Sequence, residues 1–296
     1  MFSDFYVSRF LRFFVTVKNF ISLIKFSHTV FAMPFAMIGF FWAWRDSKPD
    51  TFPAALLLKI LLCMVFARNA AMAFNRYADR RFDGKNPRTA NREIPAGKIS
   101  PETALVFTAV NSILFCITTL FINRLTFGLS FAALAVILGY SYTKRFTALC
   151  HFILGLGLAI APTGAYIAMT GAFSALPVLL SVLVLFWVGG FDILYALSDS
   201  VFDRKNRLRS IPAMLGNGNA MILSAVAHLS VAVTVIAIGL NFSRGILYWS
   251  GSFIFIFMMI YQQIIVWKKK DIGSYFGLIN GISSICYGFF TILDLI

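Results

Sequence analysis

Nine stretches of this chain are apolar over a length that matches the hydrocarbon core of a bilayer: residues 28–45, 54–76, 101–122, 125–142, 151–171, 176–197, 217–240, 245–267 and 275–294. A crossing of a core about 30 Å thick needs roughly 20 apolar residues as a helix. Lipid offers the backbone no hydrogen bonds, so each stretch must satisfy its own within a helix. The pattern therefore predicts an all-α, polytopic membrane protein with nine transmembrane helices. Composition agrees: 59% of the 296 residues are hydrophobic and 33 are Phe, which excludes both an ordinary water-soluble fold and a disordered chain. Residues 1–27, where Arg9, Arg12, Lys18 and Lys25 interrupt a Phe-rich run, are too charged to cross and are expected to form an interfacial amphipathic segment. Residues 28–296 form the transmembrane domain. No short apolar run with a small-residue cleavage site marks a removable signal peptide.

Against this apolar background stands a net charge of +14, from 26 Lys and Arg against 12 Asp and Glu. In a soluble chain such an excess would raise nucleic acid as a partner, whereas in a membrane chain it reports topology, because Lys and Arg gather in cytoplasmic loops. With the N-terminus inside, 20 basic residues fall on the inner face and 5 on the outer, leaving Arg68 within a span. That division predicts a cytoplasmic N-terminus and an odd number of spans; the expected location is a bacterial-type inner membrane, with no need for nucleic acid and no evident obligate protein partner. Cys63, Cys116, Cys150 and Cys286 show no metal-ligand or redox spacing and read as small apolar filler.

The few acidic residues concentrate at two helix ends. The second span ends in NRYADRRFD, with Asn75, Asp79 and Asp83 at i, i+4 and i+8; the sixth ends in DILYALSDSVFD, with Asp192, Tyr195, Asp199 and Asp203. On a helix such spacings share one face. The two segments repeat at an offset of 120, pairing Asn75 with Tyr195, Asp79 with Asp199, Asp83 with Asp203, Lys85 with Lys205 and Asn86 with Asn206. Downstream, Arg92, Ile94, Pro95 and Ala96 recur as Arg209, Ile211, Pro212 and Ala213. Two related halves often build one membrane site between them, so the site is expected where the two ends face each other at the cytoplasmic side. Carboxylates are hard oxygen donors suited to Mg²⁺, which takes one or two from protein and completes its shell with water and phosphate. Arg88, Arg92, Lys144 and Arg209 can neutralise the remaining diphosphate oxygens. Acidic groups beside Arg and Lys commonly form only solvated ion pairs; two ladders with matching spacing argue for more.

The NxxxDxxxD pattern at Asn75, Asp79 and Asp83 and the YxxxDxxxD pattern at Tyr195, Asp199 and Asp203 resemble the motifs of the UbiA superfamily of intramembrane aromatic prenyltransferases. KFSHTVFAMPFA at 25–36 and NPRTANREIPAGKIS at 86–100 are similar to its quinone-pathway branch. The resemblance spans essentially the whole chain and implies a nine-helix bundle with both motifs on cytoplasmic connections. It also implies Mg²⁺-dependent transfer of a polyprenyl group from a polyprenyl diphosphate to an aromatic acid such as 4-hydroxybenzoate, in ubiquinone or menaquinone biosynthesis; 1,4-dihydroxy-2-naphthoate is the alternative acceptor. Asp79, Asp83, Asp199 and Asp203 would then hold Mg²⁺ with Asn75, and Tyr195 would bind phosphate or shape the cation pocket. Lys144, in YSYTKR, matches a position where the family often places a diphosphate-binding Lys; Tyr140 and Tyr142 are further candidates.

Arg68 lies seven residues before Asn75, two turns deeper on the same face, and an intramembrane charge calls for a partner. It either binds an aromatic carboxylate or a phosphate, or pairs with Asp192. A free Asp192 could orient the substrate hydroxyl or accept the ring proton. Lys25 and His28 open the first span near the expected mouth, where an interfacial pair competes with substrate binding. His151 and His228 have no partner at metal-ligand spacing and carry no expected role. A small-molecule transporter would also explain the spans and repeat, but transporters keep coupling residues near the midplane, whereas these acids gather at one face. A CDP-alcohol phosphotransferase would need a DG, AR and G spacing that is absent here.

Overall fold

The computed structural model describes residues 19–20, 22–23, 31–268 and 276–296. Among them are nine long helices: α1 Met33–Ser47, α2 Ala54–Asp83, α3 Pro101–Leu120, α4 Arg124–Thr143, α5 Cys150–Thr170, α6 Ala175–Ala196, α8 Ile211–Asn241, α9 Ile246–Trp267 and α10 Phe276–Leu295, with the short α7 Ser200–Lys205 after α6. Eight segments are long and apolar enough to cross a membrane; α1 has 15 described residues. The chain is thus a multi-pass integral membrane protein, all-helical as its hydropathy requires. Most of the expected interfacial segment 1–27, including Lys25, lies outside the described residues, as does His28.

Local signals set the helix ends. Ser100 caps α3 by accepting the Thr103 N–H (3.1 Å), with Pro101 in the first turn. Asn123 caps α4 in the same way at Thr126 (2.8 Å). Such side chains satisfy N–H groups that a helix start leaves without partners. Inside α8, Gly216 adopts φ 79°, ψ 161°, a conformation that an L side chain resists. A first turn at Ile211 is thereby separated from the long apolar run.

Small residues let helices approach where lipid gives no drive to associate. A Cβ on Gly39 would sit 2.2 Å from the Pro162 carbonyl oxygen, and one on Gly155 would sit 2.4 Å from that of Leu185, so α1 meets α5 and α5 meets α6 in backbone contact. Aromatic rings from α1, α6, α9 and α10 fill the interior: Phe35 lies 5.3 Å from Trp187, Trp187 5.5 Å from Phe255, and Phe255 stacks on Tyr287 at 4.9 Å. All four are fully buried. Outward faces carry exposed apolar side chains such as Val106, Ile113, Leu229 and Phe253, as lipid contact demands.

One end of the bundle is closed by short polar ties. Lys59 donates to the Phe121 carbonyl (2.7 Å), Asn123 to that of Ile167 (2.9 Å), and the Tyr166 hydroxyl to Asp46 (3.0 Å). Both aspartate motifs lie at the opposite end, at the C-terminal ends of α2 and α6.

Candidate active site

The first ladder lies on a single helix that runs unbroken to Asp83. The second does not. Tyr195 belongs to α6, a tight 3₁₀ turn spans Leu197–Asp199, and Asp203 sits in α7. This corrects the expectation of one continuous helical face: 3₁₀ geometry winds with three residues per turn, which changes the angle between successive acids. All three side chains nonetheless reach the same place.

That place is a cleft of about 160 Å³. Asn75, Asp79, Asp83, Asp192, Tyr195, Asp199 and Asp203 all line it, together with Arg88, Arg92 and Lys144. Each carboxylate of the ladders faces a cation. Arg88 grips both oxygens of Asp199, with its Nε 3.0 Å from Oδ1, and its Nη1 donates to the Tyr195 hydroxyl (2.6 Å). Arg92 donates to Asp83 Oδ1 (2.7 Å), Lys144 Nζ lies 2.8 Å from Asp203 Oδ2, and Arg145 lies 3.6 Å from Asp79 Oδ1. Asn75 donates to the other oxygen of Asp79 (3.1 Å), and Ser210 donates to Asp203 (2.7 Å). Oδ2 of the buried Asp83 is shielded from solvent and has no hydrogen-bond partner among the described residues.

The connection after α2 builds half of this network. Gly84 and Pro87 fall where the helix must stop, and the chain turns back on itself through backbone bonds from Asn86 to Phe82 (3.1 Å) and from Ala90 to Asn86 (2.9 Å). Thr89 donates to the Asp83 carbonyl (3.0 Å), and Asn86 donates to Asp199 (3.1 Å) while accepting the Arg88 N–H (3.0 Å). Arg88 and Arg92 are thereby held over the cleft. Burial works against the charge on Arg88, but its bonds to Asp199 outweigh that and hold its pKa above the ordinary guanidinium value. Lys144 is likewise disfavoured by burial yet raised overall by the attraction and hydrogen bond of Asp203. Both remain cationic across the physiological range.

Three expected residues stand elsewhere. Arg209 does not line the cleft, because its guanidinium donates to the Phe146 carbonyl (3.0 Å) at the surface while its own N–H bonds the Lys144 carbonyl (2.7 Å). Exposed Tyr142 packs edge-on against Phe74 (5.7 Å) and under the Arg145 guanidinium (4.6 Å). Arg68 is outside the cleft lining, with a shielded Nε that has no partner among the described residues. It does not pair with Asp192, whose Oδ2 lies 2.7 Å from His151 Nδ1. His151, Arg145, Asn86 and Thr89 line the cleft without having been expected there. For Asn86 the motif repeat was an available signal; for His151 the sequence carried none.

Among the described residues no group of three or more His, Cys, Asp or Glu encloses a metal. Paired carboxylates that leave most of a coordination shell open fit Mg²⁺, which keeps water and phosphate ligands, better than a metal caged by protein. The bare Oδ2 of Asp83 is a further oxygen suited to a hard cation.

Residues 32–274 match the model of the UbiA prenyltransferase family. The chain is 30% identical to a 4-hydroxybenzoate octaprenyltransferase of Aeromonas hydrophila over 239 residues, covering 81% of this chain and 82% of the relative. It superposes on the apo structure of a UbiA homolog from Aeropyrum pernix K1 with a TM-score of 0.82 at 30% identity, covering 91% of this chain and 98% of the other. A UbiA homolog from Archaeoglobus fulgidus bound to GPP and Mg²⁺ has the same fold, with a TM-score of 0.70 at 20% identity over 93% of this chain and 99% of the other.

Proposed function

The chain belongs to the UbiA prenyltransferase family, and from that premise we propose that it transfers a polyprenyl group from an allylic diphosphate to a hydroxyaromatic acid of the 4-hydroxybenzoate type, in quinone biosynthesis. The observation that carries this reading is the convergence of Asp79, Asp83, Asp199 and Asp203 with Arg88, Arg92, Lys144 and Arg145 on one cleft. Such a lining suits a polyanion held by both metal and protein cations.

Asp79, Asp83, Asp199 and Asp203, with Asn75, would hold Mg²⁺, which when bound offsets the charge that grows on the diphosphate oxygens as the allylic C–O bond breaks. Arg88, Arg92, Lys144 and Arg145 bind the oxygens that metal leaves uncovered. Their present carboxylate partners make the site close to neutral, so entry of substrate exchanges one set of ion pairs for another and buries no lone charge. Tyr195 orients a phosphate oxygen through its hydroxyl. The aromatic side chains that line the cleft, Phe82, Tyr140, Tyr195 and Phe202, would shield an allylic cation from water and stabilise it by ring quadrupoles. The basic excess at this end supports a cytoplasmic location for the cleft, in a bacterial inner membrane.

The test is a membrane assay with a long polyprenyl diphosphate and Mg²⁺ that compares 4-hydroxybenzoate with 1,4-dihydroxy-2-naphthoate. Prenylated 4-hydroxybenzoate is the expected product. Exclusive use of the naphthoate would overturn the acceptor assignment, and the absence of any prenylated aromatic would overturn the function.

A further inference from the structure

His151 is the second residue of α5 and is buried at 2% exposure. Its Nε2 lies 3.2 Å from the backbone N–H of Ile211, the first residue of α8. That N–H is among those a helix start leaves without a partner, and a backbone N–H can only donate, so Nε2 is the acceptor. The ring proton of the neutral imidazole therefore sits on Nδ1, where it donates to Asp192 Oδ2 at 2.7 Å. A ring fixed at both nitrogens has one orientation and one tautomer. Asp192 lines the cleft with its side chain 21% exposed, and its Oδ1 has no hydrogen bond to the described residues. It lies one turn before Tyr195 on α6, directly after the buried Phe191.

We propose that His151 is a positioning residue for acceptor activation: through its bond to Oδ2 it aims Oδ1 of Asp192 at the hydroxyl of the aromatic acceptor. The inference rests on the prenyl-transfer reading above. In the transfer, the allylic C–O bond breaks and its electron pair leaves with the diphosphate. A pair of ring electrons forms the new C–C bond to the prenyl carbon ortho to the hydroxyl, while the phenolic proton passes to Asp192. The ring carbon then loses its proton to the departing diphosphate, and Asp192 returns its own proton to the oxygen as aromaticity is restored. An orienting neighbour that leaves one carboxylate oxygen free places the base within hydrogen-bond reach, as this step requires.

Kinetics of His151→Leu and His151→Asn in detergent-purified protein test this, with 4-hydroxybenzoate and a ring-fluorinated analogue of lower phenol pKa as acceptors. Leu fills the space without a donor, and Asn restores one near Nδ1. The expected result is that His151→Leu lowers kcat roughly tenfold or more with 4-hydroxybenzoate, leaves KM for the polyprenyl diphosphate unchanged, and loses less with the fluorinated acceptor, whose hydroxyl gives up its proton more readily. His151→Asn should regain most of the rate. Wild-type kcat in His151→Leu, an equal loss with both acceptors, or no rescue by Asn would overturn the inference while leaving prenyl transfer standing. A wild-type protein that prenylates neither acceptor would overturn both.

Discussion

Arg88 and Asp199 stand 111 residues apart in sequence and meet as a two-oxygen ion pair across the cleft. One belongs to the turn after the first aspartate motif and the other to the second motif, so this pair couples the two halves of the site. The Arg88 guanidinium also lies over the Tyr195 ring at 5.1 Å.

If Arg88 holds diphosphate, its removal will weaken that substrate alone. Hydrogen bonds to charged groups contribute about 1.5–3 kcal/mol, so Arg88→Ala should raise KM for the polyprenyl diphosphate on the order of tenfold or more, with KM for the aromatic acid unaffected. Arg88→Lys should recover only part, because an ammonium cannot engage two oxygens at once. Steady-state kinetics with each substrate varied in turn decide the matter; an aromatic KM that rises as much as the diphosphate KM contradicts the assignment.

Divalent metal should be required. Transfer should stop after treatment with a chelator and return on adding Mg²⁺. The ladders also predict that Mn²⁺ binds, measurable by paramagnetic resonance without turnover, and that Asp83→Asn weakens this binding. Undiminished transfer in excess chelator would remove metal from the account.

Arg68, which has no acidic partner among the described residues, is suited to draw in the carboxylate of the acceptor. Arg68→Ala should raise KM for the aromatic acid and leave KM for the diphosphate as it was. A change confined to the diphosphate would assign Arg68 to phosphate instead.

Packing gives a prediction independent of chemistry. In Gly155→Leu the new side chain meets the Leu185 backbone, where a Cβ alone would stand 2.4 Å from the carbonyl oxygen. Separating α5 from α6 should cost about 1–3 kcal/mol, read as a lower melting temperature in detergent. An unchanged melting temperature would show that the helices can part without loss.

The helices were legible in the sequence because lipid makes a single demand on every span, and hydropathy records it: the stretch 217–240 begins just past Gly216, where α8 leaves helical geometry. The carboxylate ladders were legible as well, since their spacing repeats. The cations that serve them were legible in part: Arg88, Arg92 and Lys144 stand against the acids as expected. Arg145 reaches Asp79 while Arg209 turns away to Phe146, a difference set by the turns after α4 and α7, where Arg207 takes φ 56°. Composition alone does not dictate such geometry. His151 was hidden for another reason: its partners, Asp192 and the Ile211 N–H, come from α6 and α8, and no local spacing announces them.

The central claim is that both aspartate motifs act on one diphosphate. Its most direct test is to measure inorganic diphosphate and prenylated aromatic acid together, for the wild type and for Asp79→Ala and Asp199→Ala at equal folded concentration in detergent. Equal molar amounts of the two products are expected from the wild type. Either substitution alone should lower both by roughly 10²–10³-fold or more, the scale of losing a group that stabilises transition-state charge. Wild-type yields from either variant would contradict the shared site.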